Sequence, residues 1–317
     1  MSPAGSLFHE VQRDFLGLPV SCRPSDDGLE MISITGSSGK TGRAIVRALV
    51  ARGAPVRAVV GRPGHVSGLS PLGATEVAIG DLTRKDAVVR SLAGSTVVYH
   101  ICPNMRPDEE EIGQRVIDVC RQLDIERFVY HSVLHPQIEA MPHHWKKLRV
   151  EELLIESGLK FTILQPAAYM QNVRGQWDSM TTRGVYEVPY AATTRLGMVD
   201  LHDVAEAAAT VLTGDRHDAA TYELCGPEVL DQRQVAAVVA GRLGCEVRVD
   251  VLDREVWARR ARDSGLSDYS IKSLGAMFGH YERHGMWGSP RVLEGLLGRP
   301  PATFEQVVNR WVAEWET

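Results

Sequence analysis

The sequence predicts an α/β fold with a doubly wound parallel sheet and a smaller C-terminal lobe, and two observations support this. Short β-compatible runs alternate with helical patterns over the first half of the chain, which is typical of parallel strands joined by right-handed crossovers. A glycine-rich segment separates the first strand pattern from the first helix pattern. Rossmann-type folds use this arrangement, and 317 residues suffice for one such sheet with an added lobe.

Strands and helices are predicted in alternation from residue 30 to residue 164. The strand patterns cover 30–35, 55–60, 75–79, 96–101, 127–132 and 161–164. The helical patterns cover 44–49, 84–92, 109–123 and 144–157. The last of these helices stops at Ser157 and Gly158, where a glycine C-cap is expected, and Pro166 ends the strand that follows. We therefore expect a sheet that helices cover on both faces.

The second half of the chain is predicted to complete the sheet and to build a cap lobe. Asp203 is the expected N-cap of a helix over 204–212, and further amphipathic helices are expected over 232–243 and 304–314. The stretch 254–296 is rich in Tyr, Trp, His and Gly and has a weaker pattern, so we assign it to the cap lobe. The expected divisions are an N-terminal arm (1–28), a dinucleotide-binding Rossmann core (29–160), and the remaining strands with a substrate-binding cap lobe (161–317).

Composition and charge argue against several classes of protein. The net charge is −5 with no dense Lys/Arg run, which disfavours direct nucleic-acid binding. No stretch approaches the roughly 20 apolar residues of a membrane helix, and residues 1–28 carry acidic side chains without a long apolar core. The five cysteines are scattered, which disfavours disulfides and zinc knuckles: Cys22, Cys102, Cys120, Cys225 and Cys245. We expect a cytoplasmic protein without a membrane partner.

The glycine-rich segment is a candidate phosphate loop. Glycines at this position let the backbone turn tightly and approach a pyrophosphate at the helix N-terminus. A nucleoside triphosphate loop would need a glycine five residues before Gly39, where Ile34 stands. An ordinary glycine-rich turn is the alternative to a dinucleotide site. The predicted cofactor-binding residues of this segment are Gly36, Ser38, Gly39, Lys40, Thr41 and Gly42.

The end of the second strand pattern favours NADP(H) over NAD(H). NAD sites usually carry an acidic residue there to bind the ribose hydroxyls, whereas this chain reads Val60-Gly61-Arg62-Pro63. The Arg62 guanidinium suits a 2′-phosphate, and Lys40 can add a second positive charge. The alternative for Arg62 is a solvated surface arginine.

Further motifs carry a resemblance to a known family. They are Thr35 to Gly42, Gly80-Asp81-Leu82, Lys147 with Glu151, Ser157 to Pro166, Met170-Gln171-Asn172 and Leu297 to Phe304. Together they resemble the NmrA-like branch of the atypical short-chain dehydrogenases, which also holds isoflavone-reductase-like enzymes and NAD(P)H:quinone oxidoreductases. The resemblance implies cofactor contacts near the adenine from Asp81 and Leu82. It also implies a cofactor lining at Ile101, Cys102 and Pro103, a ribose contact from Lys147, and Pro166 to Tyr169 beside the nicotinamide.

Three departures from the family pattern bear on the site. The family's arginine after the second strand more often lies at the position of Gly61, and its arginine before the strand-ending proline is Gln165 here. No tyrosine is followed four residues later by lysine, so the Tyr-Lys pair of ordinary short-chain dehydrogenases is absent. His143 has the tyrosine's spacing from Lys147.

Hydride transfer to a carbonyl or conjugated alkene needs a donor for the developing oxyanion. The candidate catalytic residues are Lys147, His143 and Tyr169, with His144 as a further candidate. Histidine titrates near neutral pH, and lysine can position a ribose. The alternatives are surface histidines at a helix start, marked by Pro142, and an exposed Lys147 paired with Glu151.

Aromatic and polar residues are candidates for the substrate pocket. We expect Asn104, His135, Tyr169, Tyr281 and Trp287 to contact the substrate, although buried aromatic residues more often form core. Two histidine pairs, His131 with His135 and His280 with His284, have a spacing that can bind metal. Because one pair lies at a strand end before Pro136 and the other lacks a third ligand nearby in sequence, we expect no metal.

Two functions remain open from the sequence. One is an NADPH-dependent reductase of a small, largely apolar carbonyl, enone or quinone-like molecule, and we favour it because Lys147 is present. The other is a nonenzymatic NAD(P)H sensor that acts through a protein partner, which the missing Tyr-Lys pair favours. A homodimer is compatible with both, and the fold alone does not decide between them.

Overall fold

A parallel sheet forms the centre of the fold. The computed structural model describes residues 30–315, so the arm expected over 1–28, with Cys22, lies outside the described residues. The strands are β1 (Ile32–Ile34), β2 (Val56–Val60), β3 (Glu76–Ile79), β4 (Val97–His100), β5 (Arg127–His131), β6 (Phe161–Pro166), β7 (Ala168–Tyr169), β8 (Val185–Val188), β9 (Leu196–Val199), β10 (Ala220–Leu224), β11 (Val229–Leu230) and β12 (Arg248–Val251).

Seven of these strands lie in the central sheet in the order β10-β6-β5-β4-β1-β2-β3. Every pairing in this sheet is parallel. The order reverses between β1 and β4, which is the point in an open α/β sheet where ligands bind beyond the carboxyl ends of the strands. The predicted Rossmann-type doubly wound fold is therefore confirmed.

Helices cover both faces of the sheet, and others form the lobe. They are α1 (Lys40–Ala51), α2 (Lys85–Leu92), α3 (Glu109–Gln122), α4 (Pro142–Ile155), α5 (Gln171–Arg174), α6 (Trp177–Arg183), α7 (Leu201–Thr213), α8 (Gln232–Leu243), α9 (Arg254–Asp263), α10 (Asp268–His284), α11 (Arg291–Leu297) and α12 (Phe304–Trp315). Helices α1 and α7 pack together, as do α3 and α4. Accordingly β1 and β4 are buried along their whole length, as strands of a sheet covered on both faces should be.

The C-terminal lobe is more regular than its sequence pattern predicts. Residues 254–296 contain α9, α10 and all but the last residue of α11. In the same half of the chain, β12 pairs with β8, and β9 pairs with β7 and β11. A bridge between Leu196 and Met286 connects the end of α10 to β9. The central sheet itself continues past residue 160 through β6 and β10, and the domain boundaries stay a prediction.

The predicted N-cap of α7 is wrong by one turn. The helix begins at Leu201, and the Asp200 side chain accepts a hydrogen bond from the His202 backbone N–H. Asp203 lies inside the helix and is buried. Its carboxylate accepts hydrogen bonds from the Ala302 backbone N–H at 2.7 Å and from Arg299 at 2.9 Å. Asp203 therefore anchors the segment between α11 and α12 to α7.

None of the helices within residues 30–315 has the length and apolar character needed to cross a membrane.

Replacement of Asp203 by Ala should lower the free energy of unfolding by about 2 kcal/mol, because hydrogen bonds to a charged group contribute roughly 1.5 to 3 kcal/mol. Urea unfolding followed by circular dichroism measures the change. Glu206→Ala is the matched control, since Glu206 contacts the same Arg299 near the surface, where an ion pair contributes about 0 to 1 kcal/mol. Equal losses in the two variants would contradict the anchoring role of Asp203.

Candidate active site

A cavity of about 1640 Å³ runs from the loop after β1 to α9 and α10 of the lobe. Its near end contains the predicted phosphate loop, and its middle contains the ends of β4, β5 and β6. Its far wall is formed by mainly aromatic and apolar side chains, including Tyr186, Tyr190, Trp257, Met277, Phe278 and Tyr281. The cavity therefore joins a polar end at the sheet to an apolar end in the lobe.

Steric contacts fix the conformation of the phosphate loop. Gly36 has a φ of +65°, which favours glycine. A Cβ on Gly42 would lie 2.5 Å from the Gly36 carbonyl oxygen and 2.6 Å from the Ser37 Cα, so only glycine fits there. Helix α1 has no side-chain N-cap hydrogen bond, which leaves backbone N–H groups at its N-terminus for an anion. All six predicted loop residues line the cavity: Gly36, Ser38, Gly39, Lys40, Thr41 and Gly42.

The other predicted cofactor residues also line the cavity, at its near end and its middle. Arg62, Asp81, Leu82, Cys102 and Pro103 line it, as do Lys147 and Pro166. Arg62 is exposed after β2, and its guanidinium has no hydrogen-bond or ion-pair partner among residues 30–315. It is therefore available to an anionic ligand.

Lys40 points along the loop toward α5. Its Nζ donates to the Asn172 Oδ1 at 2.6 Å and lies 5.3 Å from the centre of the Tyr169 ring. Burial lowers the pKa of Lys40. The positive charge of Lys40 therefore lies beside Tyr169 and Asn172, while that of Arg62 lies beyond the end of β2.

A buried cluster of charged residues lies at the middle of the cavity. Lys147 on α4 donates from Nζ to the Glu109 Oε1 at 2.6 Å and to the His131 carbonyl oxygen at 3.1 Å. The other oxygen of Glu109, Oε2, lies 3.4 Å from the His143 Nδ1. Tyr130 donates to Glu109 Oε1 at 3.3 Å. One carboxylate at the start of α3 thus contacts both candidate catalytic residues of α4.

The charge of this cluster depends on Glu109 remaining ionised. Burial alone would raise the pKa of Glu109, but the charge of Lys147 and the interactions with His143 and Lys147 outweigh it and lower the pKa to about 2. An ammonium and a carboxylate therefore face each other in a buried setting, where mutual attraction offsets the cost of desolvation.

The alternatives of surface histidines at the start of α4 and of an exposed lysine paired with Glu151 are wrong. Lys147, His143 and His144 are buried, so they are not surface residues at a helix start. Glu151 does not pair with Lys147; it accepts hydrogen bonds from Ser132 and Gln165. Gln165, which replaces the family's arginine, therefore serves as a neutral partner for a buried carboxylate, and burial raises the pKa of Glu151.

A hydrogen-bonded chain of aromatic residues lies next to this cluster. The Tyr99 hydroxyl is 2.6 Å from the His131 Nδ1, and the Tyr169 hydroxyl is 2.7 Å from the His131 Nε2. Thr41 of the phosphate loop donates to the Tyr169 oxygen at 3.4 Å. Tyr169 and His131 line the cavity, and Tyr99 is fully buried behind them. This series of hydrogen bonds therefore connects the phosphate loop with the end of β5.

Two predicted substrate residues lie elsewhere. His135 and Trp287 do not line the cavity, whereas Asn104, Tyr169 and Tyr281 do. His135 has a φ of +53°, and its Nε2 lies 3.8 Å from the Glu223 Oε1. The Trp287 side chain is 46% exposed, and the preceding residue, Met286, faces the cavity instead. Sequence spacing could not resolve this single-residue difference.

The two histidine pairs whose spacing can bind metal make other contacts in the structure. Both ring nitrogens of His131 are hydrogen-bonded to tyrosines, so neither is available to share a metal with His135. The rings of His280 and His284 lie 4.7 Å apart between centroids. The absence of a metal stays a prediction.

The sequence is similar to a known family and to known proteins. The model of the NmrA-like family matches residues 29–301. Quinone oxidoreductase 2 of Escherichia coli (strain K12) is 24% identical over 287 residues, which cover 88% of this chain and 98% of that protein.

Two solved structures share the fold. One is the NADPH-dependent quinone oxidoreductase from Escherichia coli complexed with NADPH, with a TM-score of 0.78, 23% identity, and coverage of 89% of this chain and 100% of that one. The other is NmrA, a negative transcriptional regulator, with a TM-score of 0.73, 16% identity, and coverage of 90% and 97%. The same fold therefore occurs in a reductase and in a regulator.

Acid should destabilise the protein through three buried histidines. Burial lowers the pKa of His100, His131 and His144 to about 3. Because these folded-state pKa values lie below the unfolded value of about 6.5, the unfolded chain binds more protons between the two values. The contribution of these histidines to the free energy of unfolding is fully present above about pH 6.5. It declines as the pH falls, by up to about 1.4 kcal/mol per pH unit for each histidine.

Urea unfolding at several pH values between about 7.5 and 5 measures this slope. The variant His100→Gln should reduce it, whereas the exposed His65→Gln should not. A free energy of unfolding that stays constant over this range would contradict the neutral, buried state of the three imidazoles.

Proposed function

The chain belongs to the NmrA-like family, and from that premise we propose that it is an NADPH-dependent reductase. Its substrate is a small, largely apolar carbonyl, enone or quinone-like molecule. The observation that supports this most directly is the continuity of the cavity from the phosphate loop to the apolar wall of the lobe. A site that only sensed a dinucleotide would not need space for a second molecule.

The proposed cofactor is NADP(H), and the residues present fit it. The N-terminus of α1 suits a pyrophosphate, and Arg62 suits a 2′-phosphate because its guanidinium has no partner among residues 30–315. When bound, the cofactor supplies the hydride. The Lys147 ammonium donates one hydrogen to Glu109 and one to the His131 carbonyl oxygen. Its third hydrogen is available to donate to a ribose hydroxyl.

The residues proposed to deliver a proton to the substrate are His143 and Tyr169. His143 lines the cavity beside Glu109, and an imidazole is a suitable general acid near neutral pH. Tyr169 lines the cavity with its hydroxyl bonded to His131. The apolar wall opposite, which includes Phe278 and Tyr281, excludes water and contacts the body of the substrate.

The second candidate is a nonenzymatic NAD(P)H sensor. The missing Tyr-Lys pair and the similarity to the NmrA regulator fold favour it. NADPH consumption with a panel of quinones, enones and aldehydes separates the two functions. Oxidation with at least one acceptor supports the reductase. Tight NADPH binding without oxidation, across the panel, supports the sensor.

The protein should bind NADPH more tightly than NADH. Arg62→Ala should reduce the ratio of the NADH Kd to the NADPH Kd by about tenfold. This is the lower end of the range for charge-assisted contacts, which we expect because Arg62 is exposed. Fluorescence titration of both cofactors measures it. The control is Arg47→Ala, since Arg47 is exposed on α1 away from the cavity. Equal affinities for the two cofactors in the wild type would exclude the preference.

Variants of Lys147 and His143 should separate cofactor binding from proton transfer. Lys147→Ala should weaken NADPH binding and reduce turnover, whereas His143→Ala should leave affinity intact and lower kcat by about 10² to 10⁴, as the loss of a general acid does. Lys146→Ala is the control, because Lys146 adjoins Lys147 without lining the cavity.

Unfolding measurements accompany these variants, since Lys147→Ala leaves Glu109 buried without its cation. Full turnover of His143→Ala across the pH range would exclude His143 as the acid. Unchanged affinity and rate in Lys147→Ala would exclude the proposed role of this helix.

A further inference from the structure

The hydrogen bonds between Tyr99, His131 and Tyr169 have a direction that can be worked out from Tyr99. Its side chain is fully buried, and the His131 Nδ1, at 2.6 Å, is the one hydrogen-bond partner of its hydroxyl within residues 30–315. A buried phenol that accepted from Nδ1 would leave its own hydrogen without an acceptor, which is unfavourable. Tyr99 therefore donates, and Nδ1 accepts.

This direction determines the tautomer of His131. Burial, and then the positive charge of Lys147, lower the pKa of His131 to about 3, so the ring is neutral at pH 7. A neutral imidazole carries one hydrogen, and with Nδ1 accepting, that hydrogen is on Nε2. The Nε2 lies 2.7 Å from the Tyr169 oxygen. His131 consequently donates to Tyr169.

The hydrogen of Tyr169 is then free for a ligand. Its oxygen accepts from His131 and, at the longer distance of 3.4 Å, from Thr41. Burial raises the pKa of Tyr169, so the phenol keeps its hydrogen. Tyr169 lines the cavity, and the Lys40 ammonium lies over its ring. The surroundings of this hydroxyl therefore favour an oxygen that carries negative charge.

We propose that Tyr99 and His131 are positioning residues that fix the Tyr169 hydroxyl as a hydrogen-bond donor into the cavity, toward an anionic oxygen. This inference rests on the proposed function and assigns a direction to the hydrogen bonds of the same site. The oxygen belongs either to the bound dinucleotide or to the substrate, where negative charge develops during hydride transfer. Tyr99 acts without touching either ligand.

The tautomer is tested without any turnover. ¹⁵N-histidine NMR of the full chain at pH 7, with His131 assigned by the loss of its signals in His131→Gln, should show hydrogen on Nε2 and none on Nδ1. In Tyr99→Phe the Nδ1 resonance should shift, because Nδ1 then loses the hydrogen bond that it accepts from Tyr99. A wild-type spectrum with hydrogen on Nδ1, or on both nitrogens, would overturn the proposal.

Binding and kinetics identify the oxygen. Tyr169→Phe should lower kcat by about 10² if the oxygen is that of the substrate, as the loss of one oxyanion donor does. It should instead raise the Kd of NADPH if the oxygen is that of the cofactor. Tyr99→Phe should reproduce part of whichever change occurs, and the double variant should be no worse than Tyr169→Phe alone, since Tyr99 acts only through Tyr169.

A second Tyr-His pair provides the matched control. The Tyr222 hydroxyl lies 3.0 Å from the His217 Nδ1, outside the cavity, so Tyr222→Phe removes an equivalent hydrogen bond without reaching the site. Additive effects of Tyr99→Phe and Tyr169→Phe, or no effect of either on kcat and Kd, would overturn the proposal. If the wild type reduces no acceptor while the NMR and NADPH-affinity results hold, the proposed reductase fails and this inference stands.

Discussion

The ion pair between Lys147 and Glu109 determines how the site is assembled. It joins α4 to the start of α3, and the same lysine holds the carbonyl of His131 at the end of β5. Two helices and a central strand therefore meet at one ammonium group. A buried pair of this kind gains little stability over an apolar contact, but the loss of one partner leaves a charge that the interior does not tolerate. The arrangement thus constrains where His143 and His131 lie, and through His131 also where Tyr169 lies.

The parts of the fold that follow from local sequence were predictable. The glycines of the phosphate loop and the alternation of strands and helices depend on residues close together in the chain, and the strand bounds differ from the structure by about one or two residues. The glycine C-cap expected at Gly158 is wrong by two residues, because α4 ends at Ile155 and its C-cap is Glu156. Asp203 shows the limit of such reasoning. As an acid near the start of a helix it has the features of an N-cap, but its partners, Arg299 and Ala302, are about a hundred residues away.

The same limit explains what sequence reasoning missed at the site. Glu109 lies in a run of four acidic residues, 108–111, which is typical of an exposed first helical turn, and no local pattern distinguishes the one that is buried. The sequence distinguishes His131 only by its spacing from His135, because its partners, Tyr99 and Tyr169, lie on other strands. Val97 and Val98 before Tyr99, with Ile101 two residues after it, indicate a buried strand, and a phenol within one needs a hydrogen-bond partner. That signal could have directed attention to His131.

The close packing of the predicted phosphate loop has a consequence for the thermodynamics that we expect for anion binding there. Gly42 leaves no space for a Cβ beside Gly36 and Ser37, and the loop is further held by the Ser37 hydroxyl on the Ile34 carbonyl and by the Gly39 N–H on the Gly36 carbonyl. A flexible loop would lose conformational entropy each time it closed around a pyrophosphate. Here that entropy is already lost when the chain folds, so we expect association with an anion to involve little further ordering of the backbone.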